Sequence, residues 1–262
     1  MFSKSQLDRY SRQLLLPGVG AAGQQKLLAA KVLVIGAGGL AAPALLYLAA
    51  AGVGTLGLVD DDTLERSNLG RQVLYGTSQL EQPKVEAAAA RLRDLNPDVR
   101  VVTHRVRLSV ANAQALIAPF DIVLDGSDTL PTRYLVSDTC VQQGKPFVYG
   151  ALGQFEGQFA RLRASGAAPC YRCLYPELPP GGSVPSCAEA GVLGALPGVI
   201  GSLMATEVLK HLLGLGESEA KLTHYDALAG SFREIVLKRN SACPSCGETP
   251  SPRAGEAACR SA

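Results

Sequence analysis

The sequence has no tryptophan, and aromatic residues make up only 5% of its 262 positions. A surface built to stack nucleic-acid bases needs more than that, so such a platform is not expected. An excess of one charge is also missing. Twenty-five Lys and Arg stand against 23 Asp and Glu, for a net charge of +2. Proteins that hold nucleic acid or anionic membrane surfaces usually carry a basic block or stripe, so neither partner is expected. The N-terminus, MFSKSQLDRYSRQ, lacks the apolar core and small-residue cleavage site of a secretory signal, and a cytoplasmic location is the expectation. Charged residues are 18% of the chain and hydrophobic ones 47%. That balance excludes a disordered chain and provides for one large domain, or two small ones, with a substantial core.

One stretch is free of charge for long enough to cross a bilayer, from Val32 to Val59. It contains six glycines and Pro43 and runs into Asp60-Asp61-Asp62, so a strand, a glycine turn, a helix and a second strand account for it better. Around it the chain alternates. VLVIG (32–36), TLGLVD (55–60), VRVVTH (99–104), FDIVLDG (120–126) and PFVYGAL (146–152) read as strands, several apolar throughout as expected for burial on both faces. Between them, helices are predicted over Leu40 to Ala51, from Pro83 to about Leu95, near 110–118, and over Pro131 to Gln143. Strand and helix in turn make a doubly wound, Rossmann-like α/β sheet. Ahead of it, Ser5 and Asp8 resemble a helix N-cap, Pro17-Gly18 ends that helix, and a short helix follows near Gln24 to Ala30. After Gly153 the alternation stops. A strand over Gln154 to Arg163, an irregular stretch over 164–190, a helix from about Pro197 to Leu213, and two strands near 221–226 and 232–238 are expected.

Three motifs lie where such sheets bind ligands, at the C-terminal ends of strands. The first is Gly36-x-Gly38-Gly39-x-Ala41. Gly36 allows a tight turn, Gly38 lets backbone approach a phosphate or ribose, and the small Ala41 lets helix and strand pack closely. Asp60 ends the next strand at the usual distance for a ribose hydroxyl. This motif alone does not choose among NAD, FAD, S-adenosylmethionine and ATP. The second motif does: Asp62, then Asn68-Leu-Gly-Arg71-Gln72, then Pro83-Lys84. Cations and side-chain amides so grouped suit a triphosphate. The third is Asp125-Gly-Ser-Asp128. A carboxylate facing a triphosphate is a natural Mg2+ ligand, although Asp125 serves equally well as a cap for the following turn.

Together RYSRQ (9–13), GAGGLAAP (36–43), DDDTLERSNLGRQ (60–72), QPKVEAA (82–88), DGSDTLPTR (125–133), CYRC (170–173), CAEAGV (187–192), GVIGSLMATEVLK (198–210) and CPSC (243–246) resemble the ThiF/MoeB/HesA family, bacterial relatives of the ubiquitin-activating enzymes. The motifs run in order from about residue 5 to 247. The resemblance implies an ATP-dependent adenylyltransferase that joins AMP to the C-terminal carboxylate of a small ubiquitin-like sulfur-carrier protein ending in Gly-Gly, of the MoaD or ThiS kind, and releases pyrophosphate. Molybdopterin, thiamine and thiolated-tRNA synthesis use such carriers. It also implies roles: Asp60 on the ribose, Asn68, Arg71, Gln72 and Lys84 on the phosphates, and Asp128 on Mg2+. Arg12 would reach into the partner subunit's site, so a homodimer is implied.

Of seven cysteines, four form two pairs, Cys170/Cys173 and Cys243/Cys246. Four thiolates make a closed tetrahedral Zn2+ site, and two reducible dithiols are the alternative. Cys187 falls in a segment that in the family crosses over the active site. There it forms a covalent link to the carrier in some members and is dispensable in others. Cys140 is expected in the core. The resemblance describes one adenylation domain over 1–247, with a nucleotide half at about 31–153 and a carrier-binding and zinc half at about 154–247. Residues 248–262 are expected to be a disordered tail. Some relatives continue into a rhodanese-like domain. With none after the second pair, a separate sulfur donor, a desulfurase or rhodanese, is expected. Other readings stay open: a non-catalytic scaffold of the same fold, adenylation of a non-carrier carboxylate, or an NAD(P)-dependent zinc oxidoreductase, which leaves Arg71, Gln72 and Lys84 unexplained.

Overall fold

The computed structural model describes residues 2–162, 168–180, 187–216 and 219–248, with no side-chain description for 187–188. The chain begins with α1 (Lys4–Leu14) and α2 (Gly20–Ala29), then β1 (Lys31–Ile35), α3 (Ala41–Ala50), β2 (Thr55–Val59), α4 (Lys84–Leu95), β3 (Arg100–His104), α5 (Val110–Ile117), β4 (Ile122–Asp125), α6 (Leu130–Gln142) and β5 (Phe147–Leu152). There follow β6 (Glu156–Leu162), two single-turn helices, α7 (Tyr171–Leu174) and α8 (Cys187–Ala190), then α9 (Leu196–Leu213), β7 (Lys221–Asp226) and β8 (Ser231–Val236).

All eight strands join one sheet in the order β3-β2-β1-β4-β5-β6-β7-β8. The first five pair in parallel and β5 to β8 pair antiparallel, so the doubly wound sheet with an antiparallel continuation is present as the sequence predicts. Two apolar layers cover it. Val32 and Val34 face α3, α4 and α9, while Leu33 and Ile35 face α5 and α6. The strand period of two divides one apolar run between two cores. No described helix is long and apolar enough to cross a membrane.

α1 and α2 close the end of the sheet where α3 and α4 finish. Tyr10 of α1 is fully buried, and Asn96 donates from Nδ2 to the Tyr10 hydroxyl (3.0 Å) and to the Ala49 carbonyl (2.7 Å). Gln24 donates to the Ala51 carbonyl.

Several boundaries differ from the sequence reading. Helix α1 is capped by Ser3, not Ser5. Ser3 Oγ accepts from Gln6 N–H and the Gln6 side chain accepts from Ser3 N–H, a reciprocal box that satisfies two donors. That helix ends at Leu14, before Pro17. The next begins at Gly20, four residues before Gln24, and Gly23 within it packs closely, since a Cβ there would come within 3.0 Å of Leu213. The 164–190 stretch is not wholly irregular, since it contains α7 and α8. The expected disorder of the tail concerns residues that, from 249 onward, lie outside the described ones.

Gly57 sits mid-strand where a Cβ would lie 2.3 Å from the Phe120 ring and 2.8 Å from Leu33. Gly57→Ala is therefore expected to destabilise the chain by about 1–3 kcal/mol through overpacking. Urea denaturation should show a lower midpoint with unchanged slope.

Candidate active site

Strand order reverses between β1 and β4, the position at which open α/β sheets form a ligand crevice. The glycine turn leaves β1 there and the Asp125-Gly-Ser-Asp128 turn leaves β4. They touch. Gly36 has φ +80°, and a Cβ on it would come within 3.1 Å of the Gly126 carbonyl oxygen. Gly126 in turn lies against Ala41, whose small side chain permits the approach. Gly39 abuts Pro197 at the start of α9.

Asp60 follows β2 and braces this turn. Its Oδ2 accepts from Ala37 N–H (2.7 Å) and its Oδ1 from Asp62 N–H (2.8 Å). Burial pushes its carboxyl above the usual range, against the pull of these donors and of Lys84. Tyr75 holds the same residue from the other side, donating from its hydroxyl to the Ala37 carbonyl at 2.7 Å. Burial raises that phenol far enough to keep it a donor.

Asn68 lies in a 3-10 turn over Arg66–Asn68, and its Oδ1 accepts from Glu65 N–H. Its carbonyl accepts from the N–H groups of Arg71 and Gln72. Arg71 donates from Nη1 to the Ser67 carbonyl (3.1 Å), and its Cγ lies 3.8 Å from where a Gly39 Cβ would be. Gln72 is buried, with its amide nitrogen against Gly38 and its Oε1 without a hydrogen-bond partner among the described residues. Lys84 opens α4 and pairs with Asp62 at 2.7 Å. The structure thus brings Gly36, Gly38, Gly39, Asp60, Asp62, Asn68, Arg71, Gln72 and Lys84 into contiguous contact.

The two aspartates of the third motif separate. Asp125 is fully buried and Asp128 is exposed. Asp125 Oδ1 accepts from the N–H (3.0 Å) and Oγ (2.6 Å) of Ser127, the turn-capping role. Its Oδ2 faces Arg133 Nε at 3.7 Å. Burial raises the Asp125 carboxyl, and Arg133 opposes the shift.

Arg12 is not brought to this crevice within the chain. It is exposed on α1, whose neighbours Arg9 and Gln13 bond the Leu95 and Ala51 carbonyls at the far ends of α4 and α3. Cys187 begins α8, and Gln154 ties the end of that helix down through the Ala190 carbonyl (2.9 Å). The segment beyond α8 reaches the Asn68–Gln72 loop, because a Cβ on Gly194 would lie 2.6 Å from the Gly70 carbonyl oxygen. Cys140 is buried as expected, and its thiol is pushed up by desolvation.

The four paired cysteines converge, with all Sγ atoms within 4.8 Å of one another. Separations are 3.6 Å for Cys170–Cys243, 3.4 Å for Cys173–Cys246 and 4.0 Å for Cys170–Cys173. A tetrahedral ion with metal–sulfur bonds of about 2.3 Å needs edges of about 3.8 Å, so this cluster could hold a metal. Asn240 N–H points at Cys173 Sγ. The cluster's own S–H···S contacts raise the Cys170 thiol and lower that of Cys173. In the first pair Cys170 is the N-cap of α7 and Cys173 lies within it, and Arg172 bolts that helix to α6. Its Nε and Nη2 each donate to Asp138 at 2.9 Å, and its guanidinium lies 4.5 Å from the Tyr134 ring centroid.

Sequence reasoning missed Tyr75, Arg133, Gln154 and the Arg172–Asp138 pair. Only Arg133 and Arg172 carried any signal, as members of quoted motifs.

Fold and site together define a nucleotide-binding α/β protein of Rossmann-like architecture. The ThiF family model matches residues 10–245, and the chain belongs to the ThiF family. It is 53% identical over 257 residues to a sulfur carrier protein adenylyltransferase of Thermus thermophilus, covering 96% of this chain and 95% of that one. It is 50% identical over 245 residues to a SAMP-activating enzyme E1 of Haloferax volcanii, covering 93% and 90%. Among solved structures, E. coli MccB superposes with a TM-score of 0.81 at 23% identity, over 95% of this chain and 75% of that one. That likeness carries the fold alone.

Removing the Tyr75 hydroxyl strands a buried carbonyl in the glycine turn. Tyr75→Phe is expected to cost about 1–3 kcal/mol of stability. Amide exchange at residues 36–39 should quicken, as read by mass spectrometry.

Proposed function

We propose that the chain is an ATP-dependent adenylyltransferase that activates the C-terminal Gly-Gly carboxylate of a small ubiquitin-like sulfur-carrier protein. The observation that carries this reading is the crevice between β1 and β4. There a glycine turn, the Asn68–Gln72 loop and Lys84 lie in contact, on a chain half-identical to a named sulfur carrier protein adenylyltransferase. Family membership and the likeness to a sulfur carrier protein adenylyltransferase and to a SAMP-activating enzyme support activation of a carrier by adenylation.

In the proposed reaction a carboxylate oxygen of the carrier attacks the α-phosphorus of ATP. One phosphorus–oxygen bond forms as the bond to pyrophosphate breaks, and the acyl-adenylate and pyrophosphate are the products. The carboxylate is ionised at neutral pH, so no side chain has to remove a proton. Positioning and charge stabilisation remain as the work of the site. Asp60 is assigned to the ribose hydroxyls. Asn68, Arg71, Gln72 and Lys84 are assigned to the phosphates, with Lys84 exchanging Asp62 for phosphate oxygen. The exposed Asp128 is assigned to Mg2+, which when bound would neutralise phosphate charge. Arg12 is assigned to the site of a second copy in a homodimer, because it lies far from the crevice of its own chain. The four cysteines are assigned to one structural Zn2+, since the sulfur spacing fits tetrahedral coordination. A covalent role for Cys187 would follow adenylation, so that thiol is not assigned to the first step.

ATP–pyrophosphate exchange tests the reading. Exchange should require Mg2+ and a Gly-Gly-ending carrier. It should fall by roughly 100-fold or more in Asp128→Ala and Lys84→Ala, the scale of losing one charge-stabilising group. Cys187→Ala should retain it. A folded dimer that exchanges with no carrier would sink the proposal. Metal analysis should find one zinc per chain, and Cys243→Ser should lose it together with several degrees of Tm.

A further inference from the structure

Arg133 is a cation that the adenylation reading leaves without a task. It is 5% exposed. Its Nη2 donates to two carbonyls, Ser127 (3.0 Å) in the turn after β4 and Gly150 (2.8 Å) in β5. Its Nε faces the otherwise unpaired Oδ2 of buried Asp125, whose other oxygen already holds Ser127. One guanidinium thus ties α6, the β4 turn and β5 at a single point. A buried carboxylate and a buried cation are each costly, and both are retained where their geometry is needed.

The opposite side of Arg133 is aromatic. Its guanidinium carbon lies 5.6 Å from the Tyr149 ring centroid and 6.0 Å from that of Tyr171. Tyr171 is the residue between Cys170 and Arg172, on the single helical turn that the cysteine cluster and the Arg172–Asp138 pair hold in place. Tyr171 and Tyr149 meet edge to face at 5.0 Å, so the ring has little freedom to move off the cation.

We propose that Arg133 is a positioning residue that sets the Asp125–Asp128 turn, and that the α7 turn between the first cysteine pair acts on the nucleotide end of the sheet through it. This rests on the adenylation reading for its effect on Mg2+, but its structural half stands apart. Lysine keeps the charge and loses the planar fork that spans two carbonyls and a carboxylate. Leucine at 171 keeps apolar bulk and loses the ring face.

The test uses the metal-loaded protein. Arg133→Lys should raise the Mg2+ concentration for half-maximal exchange by roughly tenfold while leaving the carrier KM within about twofold, and Tyr171→Leu should shift it the same way. A merely destabilised protein would lose kcat with no change in Mg2+ dependence, and that result overturns the proposal. In parallel, amide hydrogen exchange over residues 125–130 should quicken by roughly tenfold in both variants, with residues 36–41 unchanged. If Arg133→Lys does not fold, Tyr171→Leu carries both measurements. Unchanged exchange over 125–130 overturns the proposal even when pyrophosphate exchange proceeds. If the unmodified protein exchanges no pyrophosphate with any carrier, the adenylation reading fails and the amide measurement alone decides the role of Arg133.

Discussion

The nucleotide end of the molecule depends on two backbone turns that touch because neither carries a side chain. Gly36, in a left-handed conformation, and Gly126 meet where β1 and β4 end side by side. From that contact α3 leaves toward one face of the sheet and α6 toward the other. The chain diverges there, as it does where open α/β sheets receive a ligand. A Cβ at Gly36 would press on the Gly126 backbone and strain a left-handed residue, and one at Gly126 would press on Ala41 at the start of α3. The left-handed turn also aims Ala37 N–H at Asp60 and its carbonyl at Tyr75, so the brace around the turn follows from the backbone conformation.

Charges then fix what the glycines allow. Arg133–Asp125 and Arg172–Asp138 are both buried, and Lys84–Asp62 is buried on one side only. Desolvation offsets most of the attraction in a buried pair, so these pairs contribute geometry more than stability. Arg133–Asp125 closes the β4 turn onto the α6 helix that directly follows it, and Arg172–Asp138 links α6 to α7, 34 residues further along the chain. The antiparallel half and the nucleotide half thereby share α6 as a common support, and the aromatic cluster around Tyr171 fills the space between the two arginines.

The parallel half was legible because its signals are local. An apolar run buried on both faces, a glycine turn and an alanine-rich helix occupy adjacent positions, and each boundary came within about two residues. The glycine, Asn68–Gln72 and Lys84 motifs were legible as types and spacing, and the fold brings them together. Arg133 was not. A single Arg in a helix reads as a solvated charge, and only the approach of β5 and α7 from elsewhere in the chain buries it. Tyr75 was hidden for the same reason, since its partner carbonyl lies 38 residues away. The Ser3 cap was legible in principle, since Ser3 and Gln6 have the capping-box spacing and Ser5 and Asp8 do not complete that box.

The asymmetry of the Lys84–Asp62 pair bears on how a triphosphate would be received. Lys84 has 8% of its side chain exposed and Asp62 has 65%. Packing at the start of α4 holds the cation, while its partner stands in solvent. An ion pair with one member so exposed is screened and contributes about 0–1 kcal/mol, so replacing the carboxylate by phosphate costs little. Before binding, Asp62 keeps the buried ammonium from standing uncompensated. In the proposed reaction the released carboxylate turns outward into water, and the cation stays where the charge of the departing pyrophosphate would develop. A buried cation with a solvent-exposed counter-charge would suit the proposed reaction, in which the substrate brings its own nucleophile and the site holds phosphates still.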